Sequence, residues 1–254
     1  MRKIIDAHIH LDHYKKEEIE PILHTDSTVR ALIGVSFDLA SCRQNLELAQ
    51  RYNKLKPAFG WHPEQEFITD NNFTELIDWI TVHEQEMIAV GEVGLPYYLR
   101  KKEPLPIEGY LERLETFIIL AKKWQKPIIL HAVYDDAPLV CDLLEKHSVE
   151  KAHFHWFKGD SKTITQMIHN GYFISVTPDI LYEKEIQQLV ALYPLERIMV
   201  ETDGPWPFEG PFQDKLTHPS MIHQSIQVIA NIKKRSINDV YKRLYKNTVE
   251  FYQF

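Results

Sequence analysis

Eight short apolar runs recur along this chain of 254 residues, and the beat between them limits the fold more than any other feature. They span residues 4–8, 29–36, 56–60, 87–92, 127–131, 151–155, 171–176 and 197–203. Most are near-continuous rather than alternating, as expected for parallel strands covered by helices. Amphipathic stretches separate them at 41–53, 73–83, 109–124, 136–146, 161–169 and 183–193, and two more at 220–230 and 236–252 close the chain. Eight strand–helix units in a chain of this length predict an α/β fold, a single distorted (β/α)8 TIM barrel over residues 1–254. A doubly wound open sheet is the alternative, but no Gly-x-Gly-x-x-Gly follows the first run. No linker, repeat or low-complexity segment interrupts the pattern. The longest irregular stretches, 96–108 and 204–219, are rich in proline and follow strands.

A hydrophobic content of 44% supplies a full core without disulfides. Cys42 and Cys141 form no metal or redox spacing, which fits a reduced, cytoplasmic protein. Asp6, His8 and His10 interrupt the N-terminal run where a signal peptide needs an unbroken apolar core, and no later run is long enough to span a membrane. A net charge of −7 argues against broad nonspecific binding to nucleic acid. A local basic rim is still compatible with it. Lys122-Lys123 and Lys233-Lys234-Arg235 fall on predicted helices and read as solvated faces, whereas Arg100-Lys101-Lys102 follows directly on a strand end.

Polar residues close several of the apolar runs. His8-Ile9-His10, Glu92, His131, His155 and Asp203 end predicted strands 1, 4, 5, 6 and 8, the end of such a barrel where active sites lie. Taken singly, each has a plainer explanation. His8 alone would be a core histidine, Glu92 a loop-capping carboxylate, and Asp203 before Gly204-Pro205 a turn residue. Taken together, six buried ionisable groups without a task would cost several kcal/mol each. Four imidazoles and two carboxylates exceed what one tetrahedral ion needs, and they suit two divalent ions roughly 3.5–4 Å apart. On this reading His8, His10 and Asp203 hold the first ion and His131 and His155 the second, with Glu92 between them. Asp203 is also placed to take a proton from water. Nitrogen with carboxylate favours Zn, Mn, Fe or Co over Mg. His153 shares the strand of His155 and rivals it. His24, His83, His147 and His169 fall on predicted helices and read as solvent-facing. His62 follows strand 3 as a candidate substrate contact, and His218 stays unassigned.

Together these residues resemble the TatD family of metal-dependent hydrolases. The matching segments are Asp6-Ala7-His8-Ile9-His10-Leu11, Gly60-Trp61-His62-Pro63, Gly91-Glu92-Val93-Gly94-Leu95, residues 127–131, His155-Trp156-Phe157-Lys158-Gly159 and Glu201-Thr202-Asp203-Gly204-Pro205. Asn247, with Val249 and Phe251 after it, resembles the family's closing helix. The resemblance implies a distorted barrel, divalent metals at its mouth, His155 rather than His153 as ligand, and phosphodiester hydrolysis, usually of DNA. The chain departs from the family around the substrate. Pro96 stands where many members have Asp, Val133 where many have Arg, and residues 213–219 lack the usual Arg-Gly pair. A lost arginine removes a bidentate phosphate contact that lysine does not reproduce.

The leading expectation is therefore a two-metal phosphodiesterase acting on single-stranded DNA or its 3′ ends. His62, Tyr98, Arg100, Lys158 and Trp206 are the candidate substrate contacts, and Trp61, Tyr97 and Trp156 further aromatics on which bases would stack. The departures also admit a hydrolase of a small-molecule ester, lactone or amide. A third reading is a non-catalytic barrel whose metals are structural, bound to a protein partner. Nothing in the sequence calls for an obligate partner.

Overall fold

A computed structural model describes residues 2–24 and 27–254. Eight strands, β1 (Ile4–Ile9), β2 (Val29–Gly34), β3 (Leu55–Phe59), β4 (Ala89–Gly94), β5 (Ile128–His131), β6 (Ala152–Phe154), β7 (Phe173–Val176) and β8 (Ile198–Val200), pair in sequence order, all parallel. Ten α-helices accompany them among the described residues: α1 (Lys16–His24), α2 (Leu39–Arg51), α3 (Asp70–Val82), α4 (Tyr97–Lys102), α5 (Glu108–Trp124), α6 (Asp136–Lys146), α7 (Ser161–His169), α8 (Lys184–Leu192), α9 (Ile222–Lys233) and α10 (Ile237–Tyr252). The expected (β/α)8 barrel is present. No helix among the described residues is long and apolar enough to cross a membrane.

The strands are buried along almost their whole length, which is why they read as continuous apolar runs. One large cluster packs them against the helices. A smaller one joins Ala7, Ile33, Ala58, Ala89, Ile129 and Met199 of six strands to Phe251 and Tyr252 of α10. Side chains from so many strands meet only inside the barrel, so α10 closes its floor. Asn247 anchors that helix by donating to the carbonyls of Leu195 and Ile198 at 2.7 Å each.

Two helices were not anticipated. Ile19, Ile22 and Leu23 give α1 a buried face, but Pro21 inside it reads as a breaker in sequence. The stretch expected to be irregular after Pro96 contains the six-residue α4. Five strands, β2, β5, β6, β7 and β8, are shorter than expected, and the early ends of β6 and β8 leave His155 just past β6 and Asp203 past β8. A glycine at a strand end serves close packing of the backbones. A Cβ at Gly94 would stand 2.0 Å from the carbonyl oxygen of His131, so glycine here permits the close approach of β4 and β5.

The seam between β1 and β8 is closed by few backbone bonds. His10 N donates to Gly204 O at 2.8 Å and Asp203 N to His8 O at 2.9 Å. The fully buried carboxylate of Asp6 adds the rest, accepting from Thr202 N at 2.9 Å, Thr202 Oγ1 at 2.5 Å and His8 N at 3.3 Å. We expect Asp6→Ala to lower the unfolding free energy by about 1–3 kcal/mol for each buried donor it strands. The urea midpoint measures this, and an unchanged midpoint would show that the seam does not depend on Asp6.

Candidate metal centre and active-site cavity

Glu92 stands at the middle of the strand-end cluster with 0% exposure. Its two oxygens face different histidines. Oε2 lies 3.0 Å from His8 Nε2 and 3.1 Å from His10 Nε2. Oε1 lies 2.7 Å from His155 Nε2 and 2.9 Å from His131 Nδ1. On the first side Asp203 Oδ1 approaches His8 Nε2 at 3.4 Å and His10 Nε2 at 3.6 Å. Asp203 reaches this position in the left-handed region, φ +50°, which aspartate tolerates better than most residues.

These spacings are those of donors around a cation. Two ligand atoms each 2.0–2.1 Å from a tetrahedral ion lie about 3.3 Å apart. The facing nitrogens of His8 and His10 are 3.3 Å apart, and those of His131 and His155 are 3.2 Å apart. Glu92 Oε2 and Asp203 Oδ1 are buried with no hydrogen-bond partner among the described residues. The donor set is imidazole and carboxylate, so the clusters fit divalent metal on both chemistry and distance.

Outer carboxylates face the far nitrogens of two of the histidines. Glu64 Oε1 lies 3.3 Å from His131 Nε2 and Glu92 Oε1 lies 2.9 Å from Nδ1 of the same ring, so a cation taking Nδ1 would leave the hydrogen on Nε2, toward Glu64. Glu201 Oε1 faces His155 Nδ1 at 3.7 Å while accepting from Trp156 N at 2.8 Å. His62 is different. Its Nδ1 accepts from Glu64 N at 3.1 Å, so its hydrogen sits on Nε2 and points to Glu92 Oε1 at 3.3 Å. Although His62 is near enough to join Glu92 and His131 around an ion, this tautomer makes it a donor to Glu92. Burial holds it neutral, at a pKa of about 4. His153 lies elsewhere, bonded through Nδ1 to Tyr252 Oη at 2.8 Å and through Nε2 to Ser175 Oγ at 2.6 Å.

The surrounding charges follow this arrangement. Burial would raise Glu92, but His155, His62 and His8 hold it well below the usual carboxylate range. His155 lies well above its ordinary value, because Glu92 and Glu201 outweigh burial. Burial, with His155 nearby, pushes His8 far down. Asp203 is pushed up to about 8 by burial, against the pull of His155 and His10.

A cavity of about 540 Å³ opens over His10, His131, His155 and Asp203. His62, Tyr98, Lys158 and Trp206, four of the expected substrate contacts, line it. Arg100 does not. It pairs with the fully buried Asp136 of α6, and Lys102 takes the place on the cavity wall expected of Arg100. Trp156 and Phe37 also line the cavity, whereas Trp61 is 3% exposed and packs on Tyr110 and Phe67. Tyr97 packs on Tyr98 and Tyr134. Lys102 belongs to the basic cluster singled out in the sequence, whereas Glu64 and Phe37 escaped that reading. Glu64 and Phe37 do follow strands β3 and β2, so the same strand-end rule pointed at them.

A family model described as TatD related DNase matches residues 5–253. A protein of Haemophilus influenzae named "Uncharacterized metal-dependent hydrolase" is 38% identical over 252 residues, 98% of this chain and 99% of that one. The human protein named "Deoxyribonuclease TATDN3" is 27% identical, over 98% of this chain and 94% of its own. The crystal structure of YjjV, a TatD homologue from Escherichia coli K12, covers 100% of both chains with a TM-score of 0.82 at 23% identity, a likeness of fold. With the barrel and the histidine–carboxylate cluster already in place, this chain belongs to the TatD family of metal-dependent hydrolases.

Proposed function

We propose that this protein hydrolyses phosphodiester bonds of DNA at single-stranded regions or 3′ ends. The observation that carries the proposal is the division of Glu92, one oxygen toward His8 and His10 and the other toward His131 and His155. On that division His8, His10 and Asp203 would hold one divalent ion and His131 and His155 a second, with Glu92 facing both. The nitrogen-containing donor set favours Zn, Mn, Fe or Co; Mg is the less favoured choice. Ions bound there would acidify water and neutralise charge on the phosphoryl group.

The protein's own groups do the rest. Asp203 takes the proton from the attacking water, and its position beside His8 and His10 supports that role. The Nε2–H of His62 holds Glu92 in its bridging orientation. Lys102 and Lys158 reach the phosphate oxygens, while Tyr98, Trp156 and Trp206 offer faces on which bases stack. A cavity of about 540 Å³ takes a nucleotide-sized end. The name of the human relative supports DNA as substrate.

A second reading, hydrolysis of a small-molecule ester, lactone or amide, is favoured by one part of the same cavity. Val133 lines its wall, and Arg100 is committed to Asp136, so the described wall offers lysines and no arginine.

With Mn2+ present, the protein is expected to cleave end-labelled single-stranded DNA, and Asp203→Ala to slow it by about 10²–10⁴-fold. Intact DNA after incubation with protein shown to hold metal would transfer the assignment to the small-molecule reading.

The metal-free protein should lose stability as pH rises from 6.5 to about 8. Burial raises Asp203 from 3.8 to about 8, so its contribution falls with pH across that range, and His155, His131 and His10 are raised above 6.5, so theirs begins to fall there; all four therefore decline together between pH 6.5 and about 8. His62, His8 and His153 are lowered, so their opposing effect is complete by pH 6.5. Added Zn2+ should therefore raise Tm more at pH 8 than at pH 6.5, because fewer protons must leave. Equal shifts at the two pH values would contradict the ligand set.

A further inference from the structure

Helix α4 has only six residues, too few to hold itself together in water, and its N-cap residue Pro96 provides no side-chain cap. The cap comes instead from 34 and 35 residues away. Glu64 accepts from Tyr98 N at 2.7 Å through Oε1 and from Leu99 N at 2.8 Å through Oε2. The same Oε1 receives the Nε2–H of His131 at 3.3 Å. This side chain is 14% exposed, so the bonds are largely shielded from water. One carboxylate thus joins a candidate metal ligand to the helix whose Tyr98, Leu99 and Lys102 form one wall of the cavity.

We infer that Glu64 is a positioning residue that couples occupancy of the ion site at His131 and His155 to the order of the substrate wall. A cation on His131 Nδ1 draws electron density from the ring and makes the Nε2–H a stronger donor. The strengthened bond fixes the Glu64 carboxylate, and with it the two amides that start α4. The link is reciprocal: whatever orders the wall favours the ion, and by the same factor. It rests on the proposed ion at His131 and His155, but not on the identity of the substrate. A second buried tie of α4, Arg100 to Asp136, makes no hydrogen bond to either histidine or to Glu64, although Asp136 feels the charges of His131 and Glu64, and it serves as an internal comparison for the hydrogen-bonded link.

The test uses the full chain stripped of metal, with Zn2+ as probe. Zinc affinity is read by competition with a chromogenic chelator, and the order of α4 by amide exchange over residues 96–103. Glu64→Gln is expected to weaken by about 10–100-fold the class of zinc site that His131→Ala abolishes, leaving the other unchanged. Zinc should slow exchange at Tyr98 and Leu99 severalfold in the wild type and leave it unaltered in Glu64→Gln. Arg100→Ala should speed exchange across α4 yet keep wild-type zinc affinity. Wild-type zinc binding by Glu64→Gln, or exchange at Tyr98 and Leu99 indifferent to zinc in the wild type, would overturn the coupling. So would equal weakening in Arg100→Ala, which would show general loosening rather than a specific link. None of these readouts needs DNA. A protein inert toward DNA that shows them loses the proposed substrate and keeps the coupling.

Discussion

A single carboxylate, Glu92, lies fully buried among five imidazoles, and the geometry of the barrel mouth follows from satisfying it. Burying a charge costs several kcal/mol unless it is paired and hydrogen-bonded with good geometry. Here the partners arrive from β1, β5 and the segments after β3 and β6, so those strand ends must converge on β4. The convergence needs backbones closer than side chains normally allow. Gly60 would place a Cβ 2.6 Å from the carbonyl oxygen of Glu92, and Gly94 makes the matching concession toward His131. Packing at the strand ends and chemistry at the centre are therefore one constraint.

Around this core runs an outer ring of carboxylates with a separate task. Asp6 ties β8 to β1 and so fixes Asp203 relative to His8 and His10. Glu64 and Glu201 face the outer nitrogens of His131 and His155. Glu201 in turn accepts from Ser175 Oγ at 2.5 Å, and Ser175 bonds His153, which bonds Tyr252 of α10. The helix closing the barrel floor is thereby connected by buried hydrogen bonds to the far side of the site. Buried networks of this kind orient side chains and rigidify a core.

Much of this was legible in the residues themselves. Parallel strands buried on both faces leave uninterrupted apolar runs, and the polar residues that end five of them mark the barrel mouth. His8, His10, Glu92, His131, His155 and Asp203 were visible for that reason. What stayed hidden depends on tertiary position. Pro21 masks α1 because a breaker in sequence is tolerated once Ile19, Ile22 and Leu23 have a core to face. Helix α4 is stabilised by Glu64 from a distant segment, and no local pattern encodes that. Within Arg100-Lys101-Lys102, which cation reaches the cavity is decided by Asp136 on α6, which claims Arg100. Trp61 sits in a family-like motif beside His62, yet it packs into the core while its neighbour faces the cavity.

Membership of a hydrolase family and a well-formed donor set leave the substrate to the cavity wall, where lysines and aromatics stand beside Val133. The wall matters only if the centre holds metal on both sides of Glu92. Anomalous scattering from crystals grown with Mn2+ or Zn2+ tests this directly. Two peaks are expected, one among His8, His10 and Asp203 and one between His131 and His155, with Glu92 touching both. A single peak, or peaks away from Glu92, would contradict it.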